Sequence, residues 1–334
     1  MSLDLAQGAT SMLGGHLLSI SDLGSEGLEE ILEMAERFAE VERRSVRKVP
    51  TLKGKVVASL FFEESTRTRL SFETAAKRLS ADVLSLAVAS SSVKKGESLR
   101  DTVATIDAMG IDAVVLRHRS SGAPTQVAGW LPTARVINAG DGSHEHPTQA
   151  LIDLLTVRQV LAEQRGIASA GTGLSLLEGL EVLIIGDVRH SRVARSQILA
   201  YRLAGATVRL SSPGTLLPAS LEGWDVDVVE DLDDALTRAD VVSVLRIQDE
   251  RGSGSFVPSI GEFHATFGMS VARAATLKEG AVITHPGPMV RGIEIASKVA
   301  DDPRCLVLRQ VTNGVPVRMA VLFLALSSSA GRDG

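Results

Sequence analysis

Short apolar runs and helical patterns take turns along this chain. "KVVASLFF", "DVLSLAV", "DAVVLRH" and "RVINAG" each end in polar loop residues, and a second series runs through "LEVLIIGD", "ATVRLSS", "DVDVVED", "ADVVSVLR" and "GAVITHPGP". Near-continuous apolar strands separated by helical periodicity predict parallel sheets covered by helices on both faces. Two such series predict an α/β protein made of two doubly wound parallel-sheet domains joined by helices. Residues 25 to 47 carry Leu28, Ile31, Leu32, Ala35 and Phe38 at helical spacing, with glutamates early and Arg43, Arg44 and Arg47 late, and so predict an amphipathic opening helix. "HPTQALIDLLTVRQVLAEQ" predicts a long helix with Pro147 at its first position, suited to bridging two domains.

The stretch "RGIASAGTGLSLLEG" is rich in Gly, Ser and Ala and predicts a mobile surface connection without chemistry of its own. The last helix, "PVRMAVLFLALSSS", is apolar on nearly all sides, so it is expected to be buried by returning to the first domain. The expected division is residues 16–147, completed by the C-terminal helix 313–330, then 148–305, with 1–15 as a loose extension.

A length of 334 residues with 44% hydrophobic content supports a sizeable core in two domains. Forty acidic and 35 basic residues give a formal charge of -5, so no general basic field invites nucleic acid and any positive site must be local. Cys305 is the sole cysteine, which excludes an internal disulfide or a thiolate metal cage, fits a reducing compartment and reads as a buried spectator. The N-terminal stretch lacks the basic lead and apolar core of an export signal, and no apolar run reaches the roughly 20 residues of a membrane helix. A cytoplasmic protein without membrane contact is expected.

The chemistry concentrates at strand ends. In "FFEESTRTRLSFETAAKRL", Phe72, Ala75, Ala76 and Leu79 fall on one helical face, so "STRTR" sits where a buried strand gives way to a helix. Free backbone N–H groups and the helix dipole attract an anion there, and Ser65, Thr66, Arg67 and Thr68 complete a phosphate cradle without a glycine loop. Each residue taken singly also reads as a helix cap or an exposed arginine. "SSSVKKGESLRDT" offers Lys94 and Lys95 either as a solvated pair or as an arm reaching a charged ligand, before a capping box at Ser98 and Asp101.

Arg117 and His118 end another strand, and "GDGSHEHPTQ" follows the next. Ligands of open α/β sheets bind outside the carboxyl ends of strands, so these segments are expected to converge. His144 and His146 lack the spacing of a metal site; His146, immediately before a helix, is suited to donating to a polarised carbonyl oxygen, or is a satisfied structural histidine. Arg192 and Arg246 follow strands of the second series and read as carboxylate forks, or as surface ion pairs with Asp187 or Asp249. The Pro286-Gly287-Pro288 turn offers backbone carbonyls to an amide or amine. GxGxxG, the glycine-lysine phosphate loop and GxSxG are absent, which removes the usual support for nucleotide binding, for a dehydrogenase and for serine hydrolysis.

In order and content, "STRTR", "SSVKKGESLRDT", "HEHPTQALIDLL", "GDVRHSRVARS", "RIQDER", "HPGPMVRGIEI" and "QVTNGVPVRMAVL" resemble the catalytic chains of aspartate carbamoyltransferases, within the aspartate/ornithine carbamoyltransferase superfamily, from about residue 16 onward. "STRTR" and "HPTQ" are shared with ornithine enzymes, but "HPGP" stands where those usually carry "HCLP". The resemblance implies transfer of the carbamoyl group of carbamoyl phosphate to L-aspartate, giving N-carbamoyl-L-aspartate and phosphate, on the pyrimidine route to UMP. It implies that Ser65, Thr66, Arg67 and Thr68 hold phosphate, that Arg117, His146 and Gln149 with Thr68 hold the carbamoyl group, and that Gly287 and Pro288 add backbone contacts.

It further implies that Lys95, Arg192, Arg246 and Gln248 bind aspartate, and that Ser91 or Ser92 and Lys95 enter the neighbouring subunit's site in a homotrimer. No cofactor and no metal is implied, and there is room for regulatory or dihydroorotase-like partner chains. The glycine-rich 166–173 connection and "DERGSGSF" depart from the family pattern. An ornithine-type enzyme and a non-catalytic phosphate- or dicarboxylate-binding protein are the alternatives.

Overall fold

The computed structural model describes residues 15–87, 97–247, 256–257 and 259–327. The chain divides into two compact units, one running up to Thr148 and resuming at Gly314, the other spanning Gln149–Asn313. Among the described residues the first unit contains α1 (Gly24–Glu42), β1 (Val56–Phe61), α2 (Thr66–Arg78), β2 (Asp82–Ala87), α3 (Leu99–Asp107), β3 (Ala113–His118), α4 (Ala123–Trp130) and β4 (Arg135–Asp141). Its sheet has the order β2-β1-β3-β4, with every pairing parallel. The strands are buried runs such as "VVASLF", and Ala58, Leu60, Val114, Leu116 and Val136 pack against Val103, Ile106 and Val127 of the covering helices. Such burial on both faces is what a parallel sheet requires.

Helix α5 (Pro147–Gln164) carries the chain into the second unit, and α11 (Val307–Ser327) carries it back. Between them lie β5 (Glu181–Ile185), α6 (Arg192–Leu203), β6 (Thr207–Ser211), β7 (Asp227–Val228), α7 (Leu232–Arg238), β8 (Val241–Val244), α8 (Ile260–Phe267), α9 (Val271–Thr276), β9 (Val282–Thr284) and α10 (Ser297–Ala300). The second sheet is also parallel, in the order β7-β6-β5-β8-β9. Leu183, Ile185, Val242, Val244 and Ile283 form its core with Leu236 and Met269. The described residues include no helix long and apolar enough to cross a membrane.

Four details differ from the expectations. The opening helix stops at Glu42 because its last turn tightens, with the Arg43 N–H donating to the Glu40 carbonyl at 3.2 Å and the Arg44 N–H to the Val41 carbonyl at 3.1 Å, so Arg43, Arg44 and Arg47 follow the helix. The 165–179 connection is anchored rather than a loose surface strap. Leu176 and Leu177 are buried, and fully buried Arg158 donates to the Gly173 carbonyl at 3.0 Å. A guanidinium taken out of water needs such an acceptor. The last helix begins at Val307, well before Pro316, which lies inside it. Proline removes one helical hydrogen bond, and the burial of Val317 to Leu326 holds the helix together despite that loss. Cys305 is half-buried rather than buried, and desolvation raises its thiol pKa.

The C-terminal part of α11 packs in the first unit, where Phe323 meets Phe38 of α1 edge to face at 5.7 Å between ring centroids. Phe38 is fully buried. Phe38→Ala should therefore cost about 3–5 kcal/mol of stability, read as a lower urea midpoint. An unchanged midpoint would contradict this packing.

Candidate active site

In the first sheet the chain runs from β1 outward to β2, then crosses back past β1 to β3. The connections leaving β1 and β3 diverge at this reversal, opening a crevice beyond the strand ends. Phe61, the last residue of β1, is the register partner of Arg117 on β3, and the Phe62 N–H donates to the Arg117 carbonyl at 2.9 Å. The Arg117 guanidinium lies 3.4 Å from Glu63 and 3.4 Å from the Ala139 carbonyl. Arg117 is thus tied to the loop that leads into "STRTR". Ser65 is the N-cap residue of α2 in extended backbone, yet its side chain makes no capping bond, whereas Ser98, Ser191, Ser259 and Ser270 all cap their helices. The first turn of α2 therefore keeps the anion affinity of an uncapped helix start. Thr66 and Arg67 are exposed there and Thr68 is buried.

Arg318 of α11 packs behind that turn. It donates to the Ser71 hydroxyl at 2.8 Å and lies over the Phe72 ring at 5.0 Å, and burial lowers its pKa to about 9. Its signal in the sequence is a lone arginine within the apolar stretch "PVRMAVLFLAL".

The loop after β4 is shaped by two buried carboxylates. Asp141 accepts from the Gly122 N–H at 2.6 Å, the Asn138 amide at 2.9 Å and the Glu145 N–H at 3.1 Å, and it also holds His144 at 3.1 Å. Glu145 accepts from the Ile20 N–H at 3.0 Å and from the Ser19 hydroxyl. Pinned this way, the loop delivers buried His146 to the start of α5, with Gln149 one helical turn further on. His118 instead accepts from the Ser120 N–H at 3.0 Å and packs edge-on against Phe62; burial lowers its pKa.

In the second unit the reversal falls between β5 and β8, where Ile185 and Val244 are register partners. Arg192 opens α6 beyond β5, and Arg246 follows β8. Arg192 is only 3% exposed, which removes the surface ion-pair reading for it. Asp187 accepts from the His190 backbone N–H at 3.1 Å and lies 3.0 Å from the His190 ring. Beyond β9, buried His285 and Glu294 pair at 3.1 Å; the other ring nitrogen of His285 accepts from the Gly287 N–H at 2.8 Å, and Glu294 takes the Val290 N–H at 2.6 Å. With its N–H used internally, Gly287 offers a ligand its carbonyl.

The same short pattern stands at the end of one strand in each unit, β4 and β5. Gly140 and Gly186 have φ of 115° and 118°, each precedes a buried aspartate, and each aspartate binds a histidine three residues on. The shared G-D-x-x-H pattern stands in the sequence at 140–144 and 186–190. Ser91, Ser92, Lys95 and Gln248 lie outside the described residues. Among the described residues no cluster of three or more His, Cys, Asp or Glu side chains is placed to hold a metal ion.

A Cβ on Gly186 would stand 2.5 Å from the Leu245 carbonyl oxygen, at a φ that other residues rarely adopt. Gly186→Ala should cost about 1–3 kcal/mol and lower the melting temperature. A melting temperature equal to wild type would show that the two strand ends are not so tightly apposed.

Residues 15–159 match the carbamoyl-P binding domain of the aspartate/ornithine carbamoyltransferases, and residues 178–325 match their Asp/Orn binding domain. The aspartate carbamoyltransferase catalytic subunit of Parafrankia sp. is 52% identical over 314 residues, which is 94% of this chain and 97% of that protein. The catalytic subunit of M. jannaschii aspartate transcarbamoylase has a TM-score of 0.77 at 35% identity, covering 95% of this chain and all of that one. Aspartate transcarbamoylase from Trypanosoma cruzi in complex with carbamoyl phosphate and aspartate has a TM-score of 0.80 at 28% identity, covering 94% and 97%. With both domain models matched over most of its length and a relative 52% identical over 94% of it, this chain belongs to the aspartate/ornithine carbamoyltransferase family.

Proposed function

We propose that the protein is an aspartate carbamoyltransferase, transferring the carbamoyl group of carbamoyl phosphate to the amine of L-aspartate. The observation that carries this reading is the pairing of Arg117 with the end of β1, directly before an α2 start whose serine leaves it uncapped. That arrangement suits an acyl phosphate, whose carbonyl adjoins the phosphate oxygen. Arginines at both ends of the β5/β8 reversal suit the two carboxylates of aspartate better than the single carboxylate of ornithine. The 52% identity to an aspartate carbamoyltransferase catalytic subunit agrees.

In this mechanism Ser65, Thr66, Arg67 and Thr68 hold the phosphate. Arg117, His146 and Thr68 donate to the carbamoyl oxygen, and Gln149 holds the carbamoyl amide. Arg192, Arg246 and Gln248 hold the aspartate carboxylates, and the Gly287 carbonyl and Pro288 bound the carbamoyl group. The amine nitrogen attacks the carbamoyl carbon, and negative charge develops on its oxygen against these fixed donors. The C–O bond to phosphate then breaks, phosphate leaves with the electron pair, and one of its oxygens takes the amine proton. Holding two anions together against repulsion is most of the task, and it is done by fixed cations and positioning. The same reading gives a cytoplasmic homotrimer in which Lys95 and Ser91 or Ser92 serve the neighbouring subunit's site, open to regulatory or dihydroorotase-like chains.

Purified protein given carbamoyl phosphate should form N-carbamoyl-L-aspartate with L-aspartate and negligible citrulline with L-ornithine; the reverse preference would sink the assignment. His146→Ala should lower kcat by roughly 10²-fold or more, because it removes a donor to the developing oxyanion.

A further inference from the structure

One buried carboxylate in the second unit is not among the groups that would meet substrate. Asp153 lies on α5, four residues after Gln149, and is fully buried. Its hydrogen-bond donors are three side-chain amides: Gln149 at 2.9 Å, Gln197 at 2.6 Å and Gln310 at 2.6 Å. The orientation of two of them is set by their other ends. The Gln310 carbonyl accepts from the His285 backbone N–H at 3.0 Å, and a backbone N–H can only donate. The Gln197 carbonyl takes the Ser243 hydroxyl at 3.0 Å. Both amides therefore turn their NH₂ groups to Asp153.

An ionised carboxylate only accepts. It must hold Gln149 by its NH₂ group as well, which leaves the Gln149 carbonyl oxygen as the outer end of a half-buried side chain. We infer that Asp153 is a positioning residue: by fixing the Gln149 amide it presents an acceptor, and so selects a ligand group bearing N–H donors, the carbamoyl NH₂, over an isosteric group that lacks them. This rests on the carbamoyl role given to Gln149 above. The same network reaches Ser243 of β8, three residues before Arg246, and His285, two residues before Gly287. The orientation of Gln149 is thereby tied to the two strand ends that carry other candidate ligand groups.

Burial raises the Asp153 pKa to about 6, against the three amide bonds that lower it. The other titratable groups nearby are Tyr201 of α6, whose phenol pKa is raised by burial and by Asp153, and His285 and Glu294, whose side chains engage each other. Below that pH a protonated Asp153 cannot accept from all three amides, and Gln149 is the one with no second bond to hold it.

The test is a double-mutant cycle in initial-rate assays with carbamoyl phosphate and L-aspartate, using Asp153→Asn, Gln149→Ala and the double variant. Asp153→Asn keeps the shape but adds a competing NH₂; it should lower kcat/KM roughly 10- to 100-fold through misorientation. In the Gln149→Ala background the same change should cost less than about 2-fold, the signature of residues acting as one unit. The acid limb of the wild-type pH profile, near pH 6, should vanish in both single variants. Equal costs of Asp153→Asn in both backgrounds would overturn the inference. If Asp153→Asn does not fold, an acid limb retained unchanged in Gln149→Ala would overturn it just as well. A wild-type protein that makes no carbamoyl aspartate refutes the functional reading, whereas an active wild type with additive variants refutes only the role of Asp153.

Discussion

A parallel sheet delivers all its strands to one edge, and where the chain reverses its direction of growth the connections must part. That topological constraint organises this molecule twice. It leaves Arg117 beside the β1 exit in the first unit, and it leaves Arg192 and Arg246 at the β5 and β8 exits in the second. Backbone groups at strand ends and helix starts are short of partners by construction, so these are the places where polar side chains gain most by gathering. The G-D-x-x-H exits show the constraint at the level of single residues. A glycine at positive φ sits at the end of the strand, inside β4 at Gly140 and just past β5 at Gly186, and the buried aspartate after it binds the loop that follows.

Buried carboxylates do much of the positioning. Asp141 gathers the loop before His146, Glu294 and His285 shape the turn at Gly287, and Asp153 gathers three amides. Each is met by N–H donors, as a desolvated charge requires. Breaking such a group costs far more than an apolar replacement of the whole network would, so these carboxylates contribute more to a defined geometry than to net stability. Arg318 behind α2 follows the same logic with the opposite sign, lending a buried cation beside a helix start suited to anions.

Local patterns made much of this legible. The strands were readable as apolar runs, and "STRTR" was readable as an anion site because a strand, a turn and a helix meet within one short segment. The parts that were not legible depend on partners distant in the chain. Asp153 and Gln310 are separated by 157 positions, and nothing local marks either as one half of a pair. The 165–179 connection looked loose by composition, yet Arg158 from the preceding helix anchors it. The end of α1 and the start of α11 were missed because capping bonds and tertiary burial override propensity there. The absence of a capping bond at Ser65 could only be seen in three dimensions, and it favours the anion reading over the capping one.

In the proposed reading the two strand reversals take different anions: phosphate beside β1 and β3, amino-acid carboxylates beside β5 and β8. Calorimetric titration of carbamoyl phosphate, without amino acid, into wild type, Arg67→Ala and Arg246→Ala tests it most directly. Binding should be lost in Arg67→Ala and kept at wild-type affinity in Arg246→Ala. Binding retained without Arg67, or lost without Arg246, would contradict the division of labour.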